Sequence, residues 1–178
     1  MGGLFSALKA LFFSKRLEVV LVGLENSGKT TFCNQLEFGS SDIEDPPTVG
    51  LNVRVMKRGG ISFKVWDIGG QEQYRKEWAR YTRGMDCVVF VVDTADRDRI
   101  PTAKKELHRL LDDPALSTVP LLVLANKVDL KNVVSESDLI RGLNLDYITD
   151  NQWLVVAISA KYGDNVPQAL EFLLRHAR

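Results

Sequence analysis

Eight consecutive residues, Gly23-Leu24-Glu25-Asn26-Ser27-Gly28-Lys29-Thr30, carry the first suggestion of chemistry. Glycines at both ends of this loop let backbone N–H groups turn inward around phosphate oxygens, and a helix opening at Lys29 would add the positive end of its dipole. Lys29 is spaced to reach the β and γ phosphates of a nucleotide, and Thr30 offers a hydroxyl to Mg²⁺. Thr31, beside it, is counted among the nucleotide-binding positions. A second group is Trp66-Asp67-Ile68-Gly69-Gly70-Gln71. Here Asp67 can hold a water of the metal, Gly70 has no side chain to obstruct a phosphate approaching its N–H, and Gln71 is placed to orient an attacking water. The third group, Asn126-Lys127-Val128-Asp129, chooses a base. Asp129 can accept two hydrogen bonds from the ring N–H and exocyclic amine of guanine, a donor pair that adenine lacks, and losing such a buried pair costs several kcal/mol. Lys127 can lay its stem over the base, and Asn126 can tie this loop to the phosphate loop. In the fourth group, Ser159-Ala160-Lys161, a backbone N–H is available for the guanine O6.

These groups need a scaffold that brings them to one edge. The chain has 178 residues, 45% of them apolar, with two cysteines placed in apolar runs, which describes a globular domain in a reducing setting rather than a disulfide scaffold. Short apolar runs alternate with longer amphipathic ones from Leu17 onward, the pattern of an α/β fold with a mostly parallel, buried sheet. Strands are predicted at Leu17–Val22, Leu51–Met56, Ile61–Trp66, Cys87–Asp93, Leu121–Ala125 and Trp153–Ile158. The second and third read as a hairpin turned at Lys57-Arg58-Gly59-Gly60. Helical patterns cover Lys29–Glu37, Arg75–Arg83, Arg99–Leu111, Glu136–Leu143 and Val166–His176, the last with Asp164 as its cap, while Ser40–Pro47 reads as an irregular loop. Gly23, Asp67, Asn126 and Ser159 all fall just beyond the carboxyl ends of predicted strands, where ligands bind in open α/β sheets.

The residues resemble those of the small GTPases, and more narrowly of the Arf and Arf-like family, over essentially the whole chain. Pro47-Thr48-Val49-Gly50 is similar to that family's first switch and Trp66-Asp67-Ile68-Gly69-Gly70-Gln71 to its second. Trp78-Ala79-Arg80-Tyr81-Thr82-Arg83-Gly84 and Glu106-Leu107-His108-Arg109-Leu110-Leu111 look most like the lysosome-associated Arf-like branch. The resemblance implies a P-loop NTPase of the small GTPase fold, with a mostly parallel six-stranded sheet flanked by helices. An N-terminal amphipathic helix would occupy residues 1–16 and a GTPase domain residues 17–178. It implies a GTP-binding switch that cycles between GDP and GTP forms to control membrane association and effector recruitment in vesicle or organelle traffic. GTP or GDP and Mg²⁺ would be bound, with Thr48 joining Thr30 as a metal ligand and Gly70 and Gln71 reading the γ-phosphate. An exchange factor, a GTPase-activating protein and effectors would engage the switches. Trp66 and Tyr81 match two of three aromatics of the family's effector patch, and Leu51 stands where the family usually has Phe. The hairpin would slide by two residues on GTP binding, a slip that preserves which side chains face inward. No Arg or Lys lies between Phe38 and Gly50, so the first switch supplies no arginine finger; intrinsic hydrolysis should be slow and an activating Arg should add about 10³ to 10⁵ in rate.

The formal charge is zero, which disfavours nucleic acid as a partner. That total conceals a basic end, because residues 1–16 hold Lys9, Lys15 and Arg16 with no acidic residue. Met1-Gly2-Gly3-Leu4-Phe5-Ser6 fits the pattern for N-myristoylation at Gly2, and Leu4, Phe5, Leu8, Leu11 and Phe12 recur at helical spacing. One myristoyl chain binds membranes only marginally, so the apolar face and the basic residues would supply the second signal. The expected location is cytosolic and peripheral on the cytoplasmic face of endomembranes, with Golgi, late endosome and lysosome as the candidates. Two other functions compete. A nucleotide kinase would need a lid-sized insertion with basic residues, which the sequence lacks, and a nucleotide-locked scaffold would have no use for Gln71.

Overall fold

Successive residues of the strand Cys87–Asp93 point to opposite faces of a sheet, and both sets are buried, as happens only when helices cover the sheet on both sides. The computed structural model describes residues 15–40 and 46–178. Over them the chain runs β1 (Lys15–Val22), α1 (Lys29–Phe38), β2 (Leu51–Arg58), β3 (Ile61–Ile68), α2 (Glu72–Arg75), α3 (Trp78–Thr82), β4 (Cys87–Asp93), α4 (Ile100–Leu111), β5 (Leu121–Asn126), α5 (Glu136–Leu143), β6 (Trp153–Ala157) and α6 (Val166–Arg175). The six strands form one sheet in the order β2-β3-β1-β4-β5-β6. Only β2 runs antiparallel, pairing with β3 from Leu51 opposite Ile68 to Arg58 opposite Ile61. The turn between them is Gly59-Gly60, with φ of 56° and 75°, the two positive values that a two-residue hairpin of this type demands.

Two cores result. On one face Leu17, Val19 and Leu21 of β1 and Cys87, Val89 and Val91 of β4 pack with Phe32 of α1 and Phe172 of α6. On the other, Val20, Val22, Val88, Phe90 and Val92 pack with Trp78 of α3, Leu107 of α4 and Leu139 of α5. Among the described residues no helix is long and apolar enough to cross a membrane.

Several sequence expectations are corrected here. The helix expected over Arg75–Arg83 is two short pieces, α2 and α3, joined by tight i to i+3 hydrogen bonds such as Glu77 N to Tyr74 O at 3.0 Å. The break lets Arg75 and Trp78 both reach back to the preceding glycine turn: Arg75 Nε donates to Gly70 O at 3.0 Å, and Trp78 Nε1 to Gly69 O at 3.2 Å. Asp164 does not cap the last helix. Asn165 holds that position at φ 58°, and its amide instead donates to Ala157 O at 2.8 Å. β1 begins at Lys15, so Lys15 and Arg16 pair with Ile61 and Ser62 of β3 instead of belonging to the segment before the strand. Arg16 is held on its other side by Arg178, whose backbone exchanges two hydrogen bonds with it at 2.7 and 3.0 Å. The amphipathic helix and Gly2, with the rest of residues 1–14, lie outside the described residues, as do residues 41–45 of the expected loop.

Candidate functional site

Thr30, Thr48 and Asp67 come from α1, from the segment before β2 and from β3, and their side chains meet. Thr30 Oγ1 lies 2.9 Å from Thr48 Oγ1 and donates to Asp67 Oδ2 at 2.7 Å, with Thr48 Oγ1 at 3.4 Å from the same oxygen. Asp67 is fully buried, and its Oδ1 has no hydrogen-bond partner among the described residues. Burial pushes its carboxyl above the usual range, against the opposing hydrogen bond from Thr30 and the charge of Lys29. Two hydroxyls and a carboxylate with an unpaired oxygen form a set of hard oxygen donors, which fits Mg²⁺ with Asp67 acting through water or directly.

The phosphate loop closes beside this group. Gly23 stands at φ 147° and Gly28 at φ 95°, and α1 starts at Lys29 with no side chain capping its first N–H groups among the described residues. These groups stay open to a ligand. The Lys29 ammonium donates to the carbonyls of Gly23 at 3.0 Å and Leu24 at 2.9 Å. Burial lowers its pKa to about 8, against the pull of the Asp67 and Glu25 carboxylates, so an arriving phosphate would restore its full charge. A cleft of about 550 Å³ is lined by Glu25, Asn26, Gly28, Lys29, Thr30 and Thr31 of this loop and helix, by Thr48, and by Gly70 and Gln71. Gly70 touches the loop itself: Glu25 N donates to Gly70 O at 3.1 Å, and a Cβ on Gly70 would lie 2.4 Å from Glu25 N and Gly23 O. Gln71 stands at the start of α2, with Gln73 Nε2 donating to its Oε1 at 3.3 Å.

The base-side residues converge behind the phosphate loop rather than along the cleft. Asn126 Nδ2 donates to Ser27 O at 2.8 Å and its Oδ1 accepts from Ala160 N at 2.9 Å, so one buried side chain joins the first, third and fourth sequence groups. Asp129 Oδ1 accepts from Ser159 Oγ at 2.7 Å. Lys127, at φ 71°, is ion-paired with Asp93 at 2.7 Å, and the Lys161 ammonium lies 5.1 Å from the Tyr162 ring. Asp67 and Asn126 are strand residues, at the carboxyl ends of β3 and β5, rather than lying beyond them.

Three residues of this region were not singled out from the sequence. Asp93 is the last residue of β4 and Thr94 follows it, and Thr94 Oγ1 donates to Asn126 O at 2.7 Å. Their position at the same sheet edge was the available signal. The third is Arg99, which also lines the cleft and holds Glu25 at 3.0 Å. As the first residue of a predicted helix it gave no sign of facing phosphate. Away from the cleft, the rings of Trp66 and Tyr81 stand 6.3 Å apart, and Leu51 packs against the same core.

Comparison with known proteins points the same way. A model of the ADP-ribosylation factor family matches residues 4–177. The chain is 39% identical over 175 residues to ADP-ribosylation factor-like protein 8c of Arabidopsis thaliana, covering 98% of this chain and 95% of that protein. Its fold superposes with a TM-score of 0.84 on the Arl6 BBS3 small GTPase of Trypanosoma brucei with bound nucleotide analogue GppNp, at 32% identity over 90% of this chain and 96% of that one.

Proposed function

The chain belongs to the ADP-ribosylation factor family of small GTPases, which bind GTP or GDP with Mg²⁺ and hydrolyse GTP, and from that premise we propose that it times the recruitment of effectors to a membrane. The observation that carries this reading is the meeting of Thr30, Thr48 and Asp67 beside Gly70 and Gln71. Thr48 and Gln71 belong to separate loops, and both line the same cleft, at what we read as its γ-phosphate end. A third phosphate therefore gives both loops a common anchor, and its loss removes that anchor.

The residues divide the work by position. Lys29 neutralises phosphate charge, and the backbone N–H groups of residues 26–31 cradle the oxygens. Thr30 and Thr48, with Asp67 behind them, would hold Mg²⁺, which when bound would offset charge on the phosphates. Gln71 orients the attacking water. No cation of the first switch reaches the transferring group, so intrinsic turnover is slow and an activating partner supplies the missing charge. On the base side, Asp129 selects guanine, Lys127 covers the ring, and Asn126 with Ser159, Ala160 and Lys161 shapes the loop around it. Gly2, as a myristoylation site, and the apolar segment before β1 that carries Lys9, with Lys15 and Arg16 at the start of the strand beside it, provide the membrane contact on the cytoplasmic face of endomembranes such as Golgi, late endosome or lysosome.

The base assignment is tested by displacing a fluorescent guanine nucleotide with excess ATP; effective displacement overturns the role of Asp129. The timing role is tested by single-turnover GTP hydrolysis with and without cell extract. Stimulation in the parent protein and its loss in Gln71→Leu are expected. Unaided turnover near ~1 s⁻¹ in the parent would contradict the switch. For the membrane role, Gly2→Ala should move the protein to the soluble fraction of cells, and unchanged membrane association would refute the lipid anchor.

A further inference from the structure

Glu25 puts a carboxylate on the wall of a cleft shaped for phosphate. Like charges at such range repel, and more strongly where protein replaces water. The repulsion falls at one end of the cleft, because Glu25 N is bonded to Gly70 O, next to Gln71 and across from Thr48.

The carboxylate is held from a distant part of the chain. Arg99, at the end of the short 3₁₀ turn Arg97–Arg99 that leads into α4, donates Nη2 to Glu25 Oε1 at 3.0 Å and Nη1 to the Glu25 backbone oxygen at 3.3 Å. One guanidinium thus grips both the side chain and the main chain of the phosphate loop, which a lysine could not do with the same geometry. The turn beneath it is tied by Arg99 N to Asp96 O at 3.2 Å. Arg99 lines the cleft and its charge acts on the Lys29 ammonium, so it lies within electrostatic reach of the phosphate-binding groups.

We propose that Arg99 is a positioning and specificity residue of the nucleotide site, neutralising Glu25 and thereby setting how strongly the cleft prefers a nucleoside triphosphate to the diphosphate. The reason is the place of the pair. A γ-phosphate adds negative charge at the end of the cleft where Glu25 stands, so an uncompensated Glu25 repels the triphosphate more than the diphosphate. Gln71, Gly70 and Thr48 then meet a phosphate that the loop itself no longer opposes. The inference rests on reading the cleft as a guanine-nucleotide site with its γ-phosphate end at Thr48, Gly70 and Gln71.

The test compares the affinities of full-length protein for fluorescent GDP and for a fluorescent non-hydrolysable GTP analogue, both with Mg²⁺, at low and at physiological ionic strength. Parent, Arg99→Ala, Glu25→Gln and the double variant are measured together. Arg99→Ala should weaken the triphosphate about tenfold more than the diphosphate at low salt, with the gap narrowing as salt is added. Glu25→Gln in the Arg99→Ala background should restore the parent ratio. Equal weakening of both nucleotides, the result of a merely structural loss, overturns the proposal, and so does a double variant that keeps the altered ratio. If the parent binds neither nucleotide, the underlying reading of the cleft fails instead.

Discussion

Asn126 does at the residue scale what no single loop does alone, since its amide holds Ser27 of one loop and Ala160 of another while itself nearly free of solvent contact. Asn126→Ala leaves a buried carbonyl and a buried N–H unpaired, and each costs about 1–3 kcal/mol. A loss of about 2–4 kcal/mol is expected in denaturant unfolding; a change below about 0.5 kcal/mol would show that the loops do not depend on it. The neighbouring glycines are constrained by the same closeness. A Cβ on Gly28 would stand 2.2 Å from Asn126 Nδ2, and one on Gly70 would enter the backbone of the phosphate loop. The missing side chain of Gly70 is legible in the sequence, whereas its contact with Gly23 and Glu25 exists only in the folded chain. Cys87 carries a different residue-scale consequence, because burial pushes its thiol up to about 12 and so suppresses the reactive thiolate. Maleimide at pH 8 should label neither Cys87 nor the buried Cys33 in folded protein and both in denaturant; labelling of the folded form would contradict this packing.

Among the strands, β2 contributes least to the core. β2 buries only Met56 along its length, and Val53 and Val55 face solvent, so its own packing holds it weakly. What fastens it is a pair of arginines. Arg54 reaches Asn34 at 2.5 Å and Glu37 at 3.3 Å on α1, and Arg58 donates to Leu36 O at 2.6 Å. These bonds fix the hairpin's register against α1, and a slide of two residues would have to release them. Arg54→Ala should cost about 1–2 kcal/mol and raise amide exchange in β2 more than in β1 or β4. Uniform protection across the sheet after the substitution would show that Arg54 is not the fastener. The α2–α3 break shows an element decided from outside itself. Residues 75–83 have helical spacing, but Arg75 and Trp78 are each drawn back to a glycine carbonyl, and the chain winds into tight turns to serve both.

The whole molecule combines a rigid sheet with loops gathered at one of its edges. The strands β1, β4 and β5 are buried on both faces and need no ligand to hold them. The loops after β1, β3, β4, β5 and β6 meet through polar contacts around Lys29, Asp67, Thr94, Asn126 and Ser159, all buried. A nucleotide bound where these loops meet, as proposed, would add bonds to them, and its binding would be coupled to folding. Mass action then gives about 2.7 kcal/mol of stabilisation at a ligand concentration one hundred times Kd. For a domain of this size that is a rise in Tm of roughly 5–10 °C on adding GDP and Mg²⁺, lost on chelation and absent with ATP. A thermal melt that ignores guanine nucleotide, or answers ATP equally, would refute the coupling.

How much was legible beforehand follows from range. The phosphate-loop pattern, the Asp67–Gln71 group, the candidate base-selecting groups and the α/β alternation are local patterns of residue type and spacing, so the sequence by itself carried them, and with them the carboxyl edge of the sheet as the expected place for chemistry, whereas the first switch at Pro47–Gly50 followed from the family resemblance. Strand order, hairpin register and the start of β1 at Lys15 depend on pairing between distant segments, and only the folded chain decided these. The same holds for contacts that bridge long separations. Asn126 finds Ser27 across 99 residues and Arg99 finds Glu25 across 74, distances over which spacing carries no information and only the closing of the sheet sets which side chains meet.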